Sequence, residues 1–550
     1  MGQASSDTPR GRCEVDEPAV AQAAQATQRL ARAASLMAVA TLLSRFLGLL
    51  REVATAAFFG ATSAKGAFVI GYNIPFFIQR LLLSGTLSIV FIPTLSEYLA
   101  RGDDEEVNRV STTVFNLVLL LGVLMVAVGI VAAPLLVALS APGFRWTDPG
   151  LIPLAVQLTR IMFGAMFFLA LSGFAMGYLH AHQHFTTPAL APLVFNVVII
   201  GGIFLLGPVL GITGLAVSFL LGWALQFAVQ VPATLRQGFR WCPRLELRHP
   251  AVKGMARLSL PAMMGLAVVE TNAYVDRFFA SFLPVTPQVN YVAVLDYAYQ
   301  VVQAPVSIFG ISIATAVFPT LARHASLGER GALREANSLG IRMVLFATMP
   351  LTAFFLAASS PIVRLIFERG AFAPESTAAV ASAVVGYAVG LSAIASYYIV
   401  TRTFYAQHDV ITPVKVGAAM IGLNALLDVA LMRILGHTGI ALATSLVAIT
   451  NVGTLLWLLR HRLGSMDGGR IGQTLGKVVL ASAALGITAF FLLRGLDGVV
   501  HLGGLAGQVL QLSLAGGGGA VTYLAACAFL QVQEAGMVFD LIRRRTRPAR

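Results

Sequence analysis

Residues 117–138 read LVLLLGVLMVAVGIVAAPLLVA, an unbroken apolar run without a single charge. A helix crosses the hydrocarbon core of a bilayer in about 20 apolar residues. Extended to 111–138, this stretch is a membrane span. Working outward, runs of the same kind lie near 34–58, 67–96, 153–178, 186–207, 211–234, 256–282, 289–322, 340–360, 376–401, 411–432, 438–459, 475–495 and 505–530. The spans at 67–96 and 289–322 are long enough to bend at Pro75 and Pro305. The whole chain agrees with this reading. Hydrophobic residues make up 57% of its 550 positions and charged residues only 11%, against roughly 25% charged in soluble domains. The mean hydropathy is +0.79. The fold class is therefore an all-α polytopic membrane protein of about fourteen transmembrane helices.

Charges between the spans set the orientation. Basic residues crowd alternate connections: Arg236, Arg240, Arg244, Arg248, Lys253 and Arg257 in one, Arg323, Arg330 and Arg334 in a second, Arg460, Arg462 and Arg470 in a third. The C-terminus closes on Arg543, Arg544, Arg545, Arg547 and Arg550. The remaining loops carry little beyond Lys65, Arg145, Arg369, Arg433 and Arg494. The positive-inside rule then places both termini in the cytoplasm. The net charge of +13 reads as topology, with the basic tail also able to touch anionic lipid headgroups. It does not read as nucleic-acid binding. Residues 1–32 are polar and mixed in charge and read as a disordered cytoplasmic leader. Cys13, Cys242 and Cys527 are too scattered for a disulfide framework or a metal site.

The chain repeats itself. Thr187-Pro188 recurs as Thr412-Pro413, Gly211-Ile-Thr213-Gly214 as Gly436-His-Thr438-Gly439, and Pro93-Thr94-Leu95 as Pro319-Thr320-Leu321. The offset stays near 225, so the sequence reads as a tandem duplication of six spans. An even number of spans gives the copies the same orientation. The expectation is a first lobe at 33–236, a second lobe at 250–462, a central cavity between them, an additional helical pair at 474–531, and a basic cytoplasmic tail at 532–550. This is the usual build of an alternating-access transporter.

Ionisable groups at membrane depth are costly and normally face a cavity or a partner. The first span carries Ser44, Arg45, Arg51 and Glu52, the second Gln79 and Arg80. Arg45 and Arg51 lie about 9 Å apart along a helix and about 120° apart around it, so both border one cavity only if it is wide. An arginine fork suits a diphosphate. The structural alternatives are snorkelling of Arg45 or Arg51, or neutralisation of Arg51 by Glu52. In the second lobe Asp276, Asn424, Asp428 and Thr444 supply two carboxylates with amide and hydroxyl oxygens. Asn424 and Asp428 share a helix face at i and i+4. The set suits a monovalent cation, Na+ or H+, with Asp276–Arg277 and Asp428–Arg433 ion pairs as structural alternatives. Asp296 is a further candidate for that cation site. His180, His182 and His184 form a loop cluster that reads as solvated. There is no P-loop and no nucleophile elbow, so the chain is not read as an enzyme. The driving force is expected from a cation gradient, the membrane potential or the substrate's own gradient, without a cofactor.

Several stretches resemble the MurJ (MviN) lipid II flippases of the MOP exporter superfamily. They are Ser44-Arg45-Phe-Leu-Gly48-Leu-Leu-Arg51-Glu52, Phe58-Phe59-Gly60-Ala61, Ile74-Pro75 with Arg80 and Phe91-Ile-Pro93, Ala141-Pro142-Gly143-Phe144, Pro188-Ala-Leu-Ala-Pro192 with Asn196, Val275-Asp276-Arg277, Ala314-Thr315 through Pro319, and Phe404-Tyr405 through Lys415. The resemblance covers about residues 33–530. It implies fourteen helices, two lobes and a final pair that grooves the lipid tail. It implies transfer of undecaprenyl-diphosphate-linked peptidoglycan precursor from the inner to the outer leaflet of the bacterial inner membrane. Substrate contacts would then fall on Ser44, Arg45, Arg51, Glu52, Gln79, Arg80 and Gln300. The cation site would fall on Asp276, Asn424, Asp428 and Thr444. Expected partners are the lipid-linked glycan, membrane lipids and cell-wall synthesis proteins, with the chain acting as a monomer. The sequence departs from the family pattern at Gly66, where an acid is usual, at Gln79 and Gln300, where arginines are usual, and at Ser84. Two cavity cations and one acid of the pattern are therefore absent. A flippase for another polyprenyl-diphosphate-linked oligosaccharide and a non-transporting cell-wall scaffold are the alternatives.

Overall fold

The computed structural model describes residues 17–80, 91–464, 467–497 and 504–537. Its helices are, in order, α1 (Glu17–Phe59), α2 (Ser63–Gln79), α3 (Ile92–Ala100), α4 (Asp104–Ser140), α5 (Phe144–Thr147), α6 (Leu151–Ala181), α7 (Thr186–Leu210), α8 (Ile212–Arg236), α9 (Pro250–Ala280), α10 (Tyr291–Pro305), α11 (Ser312–Ser326), α12 (Arg330–Phe367), α13 (Pro374–Ala388), α14 (Leu391–Ala406), α15 (Ile411–Leu435), α16 (His437–Leu463), α17 (Gly468–Asp497) and α18 (Leu505–Phe529). Helix lies in every one of the fourteen expected stretches. Ten described helices are long and apolar enough to cross a membrane, eleven if α13 and α14 count as one span. Their outer faces carry exposed Val131, Leu205, Val209 and Phe529, a burden only lipid tolerates. Cys13, Ser84, residues 1–16 of the leader and residues 538–550 of the basic tail lie outside the described residues.

One expectation is corrected at the start. Residues 17–32 are not a disordered leader but the first turns of α1. Alanine recurs throughout that stretch, and alanine is the strongest helix former.

The two expected lobes are α1–α8 and α9–α16. At matching places, α7 and α8 join through Gly211 (φ +58°, ψ −140°) and α15 and α16 through Gly436 (φ +58°, ψ −135°). Both turns need a left-handed backbone, which glycine adopts without steric cost. The long span at 289–322 does deform at Pro305. Proline cannot donate a backbone N–H, and Val306–Ile311 widens into a π-helical segment between α10 and α11.

The span expected at 376–401 is two helices, bent by 43° between α13 and α14. Ser445 of α16 fills the break. Its Oγ accepts from Gly390 N at 2.9 Å and donates to Gly386 O at 2.7 Å, so the interrupted backbone groups are satisfied by a neighbouring helix.

Helices α17 and α18 pack on each other and on α12. Val478, Ala481, Leu485, Tyr523 and Cys527 form their seam against Phe346 and Phe354. A buried ion pair fastens the far end: Arg342 Nη1 of α12 lies 2.6 Å from Glu534 Oε1.

The lobes meet at the end of the molecule away from the arginine-rich connections. Asn290 N donates to Ala61 O at 2.7 Å and Ala371 N to Ala57 O at 2.7 Å. Gly143 N donates to Ser281 Oγ at 3.0 Å, and Trp146 stacks on Phe282 at 5.7 Å. These contacts close that mouth of the cleft.

Candidate functional site

Beneath this closure lies a cavity of about 610 Å³ between the lobes. The first lobe lines it from α1 with Arg51, Glu52 and Thr55, from α2 with Lys65, Tyr72, Asn73 and Phe76, and from α8 with Phe219. Arg80, just past the end of α2, lines it too. The second lobe contributes Tyr274 and Arg277 of α9, Asp296, Tyr299, Gln300 and Gln303 of α10, and Tyr398 of α14. Four cations (Arg51, Lys65, Arg80, Arg277) face two carboxylates (Glu52, Asp296), a formal excess of two positive charges.

Arg51 is held on all sides. Its Nε and Nη2 donate to Glu52 Oε1 at 3.2 and 2.7 Å, and its Nη1 donates to Asn196 Oδ1 at 3.2 Å. The guanidinium stands 5.6 Å from both the Phe195 and Phe219 ring centres. The expected neutralising contact with Glu52 is thus present, inside the cavity. Ser44 does not line the cavity. It joins through Asn196, whose Nδ2 donates to Ser44 Oγ at 3.4 Å. Arg80 lays its guanidinium 4.4 Å from the Phe76 ring centre.

Two expected cavity residues are elsewhere. Arg45 is exposed and is not among the lining residues. Gln79 is buried but also absent from the lining. Gln300 does line the cavity, and its Nε2 donates to Asp296 Oδ2 at 3.0 Å.

Lys65 and Arg277 are cavity cations that sequence reasoning did not place there. Lys65 reads as a loop charge before an apolar run, yet α2 begins at Ser63 and carries it inward. Arg277 follows Asp276, and adjacent helical residues point about 100° apart. When Asp276 turns into the second lobe, Arg277 turns into the cleft. Asp296 is corrected in the same way. It is not part of the carboxylate cluster around Asp276 but sits between Lys65 Nζ and Arg277 Nη2, 3.6 Å from each.

Of the candidate cation residues, Asp276, Asn424 and Thr444 line a separate chamber of about 170 Å³, and Asp428 stands behind them, bonded to Asn424. Asn424 Nδ2 donates to Asp276 Oδ1 at 2.7 Å and to Asp428 Oδ2 at 3.1 Å. Thr444 Oγ1 donates to Asp276 Oδ2 at 2.7 Å. Asn424 and Asp428 are fully buried, and Asn424 Oδ1 and Asp428 Oδ1 have no hydrogen-bond partner. Buried oxygens left unpaired, in an all-oxygen set with two carboxylates, fit a small hard cation or a proton. Arg433 is exposed while Asp428 is buried, which disfavours their pairing. Tyr299 and Tyr398 line both chambers and form the wall between them. The histidine cluster disperses: His182 Nδ1 meets Tyr178 O and His184 Nε2 meets Thr187 Oγ1, each at 2.9 Å. Among the described residues no group of three metal-ligand side chains assembles.

Two helical lobes around a charged cleft, with an added helical pair, define a polytopic membrane protein with a central polar cavity. Solved structures share the fold. One titled "Lipid II flippase MurJ, inward closed conformation" aligns with a TM-score of 0.72 at 24% identity, covering 90% of this chain and 99% of that one. An inward-facing multidrug resistance MATE transporter of the MOP superfamily aligns at 0.62 and 16% identity, covering 77% and 96%. The family model described as "Lipid II flippase MurJ" matches residues 55–502. Relatives include the lipid II flippase MurJ of Burkholderia cenocepacia, 32% identical over 77% of this chain and 82% of its own. The probable lipid II flippase MurJ of Synechocystis is 31% identical over 86% and 89%. The chain belongs to the MurJ family of lipid II flippases.

Proposed function

We propose that this chain flips lipid II, the undecaprenyl-diphosphate-linked peptidoglycan precursor, from the inner to the outer leaflet of the bacterial inner membrane. It is a multi-pass transporter, with both termini read as cytoplasmic. The observation that carries the proposal is the lobe-spanning cavity with its excess positive charge. Arg51, Arg80, Lys65 and Arg277 offer a diphosphate charge of matching size, and the tyrosines and Gln300 offer hydrogen bonds to the glycan. Charge-assisted bonds of this kind are roughly twice as strong as neutral ones. Family membership favours lipid II over another lipid-linked oligosaccharide or a scaffold, and the relatives named for lipid II match over more than three quarters of the chain.

An apolar groove of about 510 Å³ between α12 and α18, lined by Phe354, Ile366, Val509 and Leu512, suits the polyprenyl tail. The closed mouth at Ala61, Ser281 and Ala371 keeps the headgroup on the cytoplasmic side until the lobes rock. Asp276, Asn424, Asp428 and Thr444 would hold a monovalent cation, which supplies the positive charge that lets two buried carboxylates share Asn424. Because Asp276 and Arg277 are neighbours on α9, a change in the orientation of Asp276 is transmitted to the cleft. The test is complementation of a strain depleted of its own flippase. Growth restored by this chain supports the reading. Failure by a well-expressed wild-type chain refutes it.

A further inference from the structure

Asp296 ties the lobes together. Its Oδ2 lies 3.6 Å from Lys65 Nζ of the first lobe and its Oδ1 3.6 Å from Arg277 Nη2 of the second. Gln300, one turn along α10, donates to Oδ2 at 3.0 Å. Lys65 is only 3% exposed. Its ammonium stands 4.9 Å from the Tyr297 ring centre and 5.4 Å from that of Phe68. An ammonium so far from bulk water needs an anion. Yet both ion pairs are longer than the roughly 2.8 Å of a charge-assisted hydrogen bond. One carboxylate is shared between two cations and satisfies neither tightly.

The arrangement follows from Gly66. A Cβ at that position would stand 2.3 Å from Asn290 Oδ1. That oxygen caps α10 by accepting from Val292 N at 3.0 Å. An acid at position 66 would displace the cap, so the start of α2 approaches α10 without a side chain there. The carboxylate stands on α10 instead, and the cation on α2, one residue before the glycine.

We propose that Asp296 is the resident counter-anion of the diphosphate subsite. It bridges Lys65 and Arg277 until the substrate's diphosphate takes both cations, so that loading the cavity replaces the carboxylate tie between the lobes with the substrate itself. The proposal rests on the reading of this cavity as a diphosphate site. Two phosphates present more oxygens than one carboxylate and can engage both cations at hydrogen-bonding distance. The displaced carboxylate keeps its bond from Gln300, a neutral donor on its own helix. The tie is thereby coupled to occupancy, as a ligand that binds one state better must be. Asp296 is a positioning residue that sets when Lys65 and Arg277 are free to act.

The test uses the full-length chain in nanodiscs and carbodiimide coupling. The reagent activates Asp296, Lys65 Nζ attacks, an amide forms between them, and the reagent leaves as its urea. Mass spectrometry of the joined peptides reads the yield. Undecaprenyl diphosphate is expected to lower it by about tenfold, and undecaprenyl monophosphate by less. Asp296→Asn removes the competitor and is expected to bind undecaprenyl diphosphate about tenfold more tightly than wild type, whereas a merely structural role predicts weaker binding. No Lys65–Asp296 product from the wild-type chain, or a yield unchanged by bound lipid, overturns the proposal. Equal or weaker binding by a folded Asp296→Asn variant also overturns it while leaving the diphosphate reading intact. If wild type does not bind undecaprenyl diphosphate at all, the diphosphate reading falls and the tie falls with it. Should the variant not fold, the wild-type coupling yield decides.

Discussion

Replacing Arg51 with alanine does two things at once, and they can be separated. It removes a guanidinium from the cavity wall, and hydrogen bonds to charged groups contribute about 1.5–3 kcal/mol. It also strips Glu52 of the partner that holds its Oε1 at 2.7 Å. An uncompensated carboxylate then repels the diphosphate. At a separation of about 6 Å and an effective dielectric of about 20 that repulsion is about 3 kcal/mol. Together the losses come to about 5 kcal/mol, between a thousand- and ten-thousand-fold in affinity. The double variant Arg51→Ala/Glu52→Gln keeps only the first loss, about 1.5–3 kcal/mol, or roughly 10- to 100-fold. Binding of undecaprenyl diphosphate to the chain in nanodiscs measures both, and complementation gives the cellular readout. The double variant is therefore expected to work better than the single one, an interaction of the kind a double-mutant cycle isolates. If it binds as poorly as Arg51→Ala, or worse, Glu52 is not the counter-ion of Arg51 and the charge argument for the cavity is wrong.

Other outcomes are equally specific. Glu534→Ala leaves Arg342 buried without its anion and is expected to cost about 3–5 kcal/mol, whereas Arg342→Met/Glu534→Leu is expected to be near neutral; thermal unfolding in detergent compares them, and equal losses would sink the argument. The wild-type chain is expected to show a sodium-dependent rise in melting temperature and Asp428→Asn to abolish it; a variant that retains the full rise places the ion elsewhere. Asp409, in the connection between α14 and α15, is pushed up by burial, but the Thr412 hydroxyl and N–H and the Arg462 guanidinium outweigh this and hold its carboxyl below the usual range. A depressed folded-state value stabilises the turn above the unfolded value of about 4, and that contribution is lost as pH falls through the folded one. Amide exchange at Thr412 is expected to accelerate only below about pH 4. Acceleration already near neutral pH would contradict it.

The spans were legible because hydropathy is a property of consecutive residues. The meeting of Asp276, Asn424, Asp428 and Thr444 was partly legible for a related reason: Asn424 and Asp428 are one turn apart on a single apolar helix, so their common face could be read directly. The cavity was harder. That Arg51 lines the cavity while Arg45 does not depends on how α1 packs on α7, a fact of packing. Lys65 looked like a loop residue because nothing in its neighbours marks where α2 begins. Asp296 was grouped with the other acids by type, whereas its position is fixed by Lys65 and Arg277, which lie far from it in sequence. The break between α13 and α14 was invisible because the residue that makes it tolerable, Ser445, belongs to α16.

The closed mouth of the cleft has a consequence for how this protein tolerates change. Much of its seal runs through main-chain atoms: Ala61 and Ala57 accept through their carbonyls, and Asn290, Ala371 and Gly143 donate through their amides. Main-chain groups are the same in every residue but proline. Side-chain drift at Ala57, Ala61 and Ala371 therefore leaves their pairs intact, whereas at Gly60, Gly143 and Gly370 a Cβ would stand 2.3–2.4 Å from main-chain atoms of the opposite lobe. The seal is specified by how closely the two backbones approach, and alanine scanning will find it at these three glycines and at Ser281, whose hydroxyl accepts from Gly143.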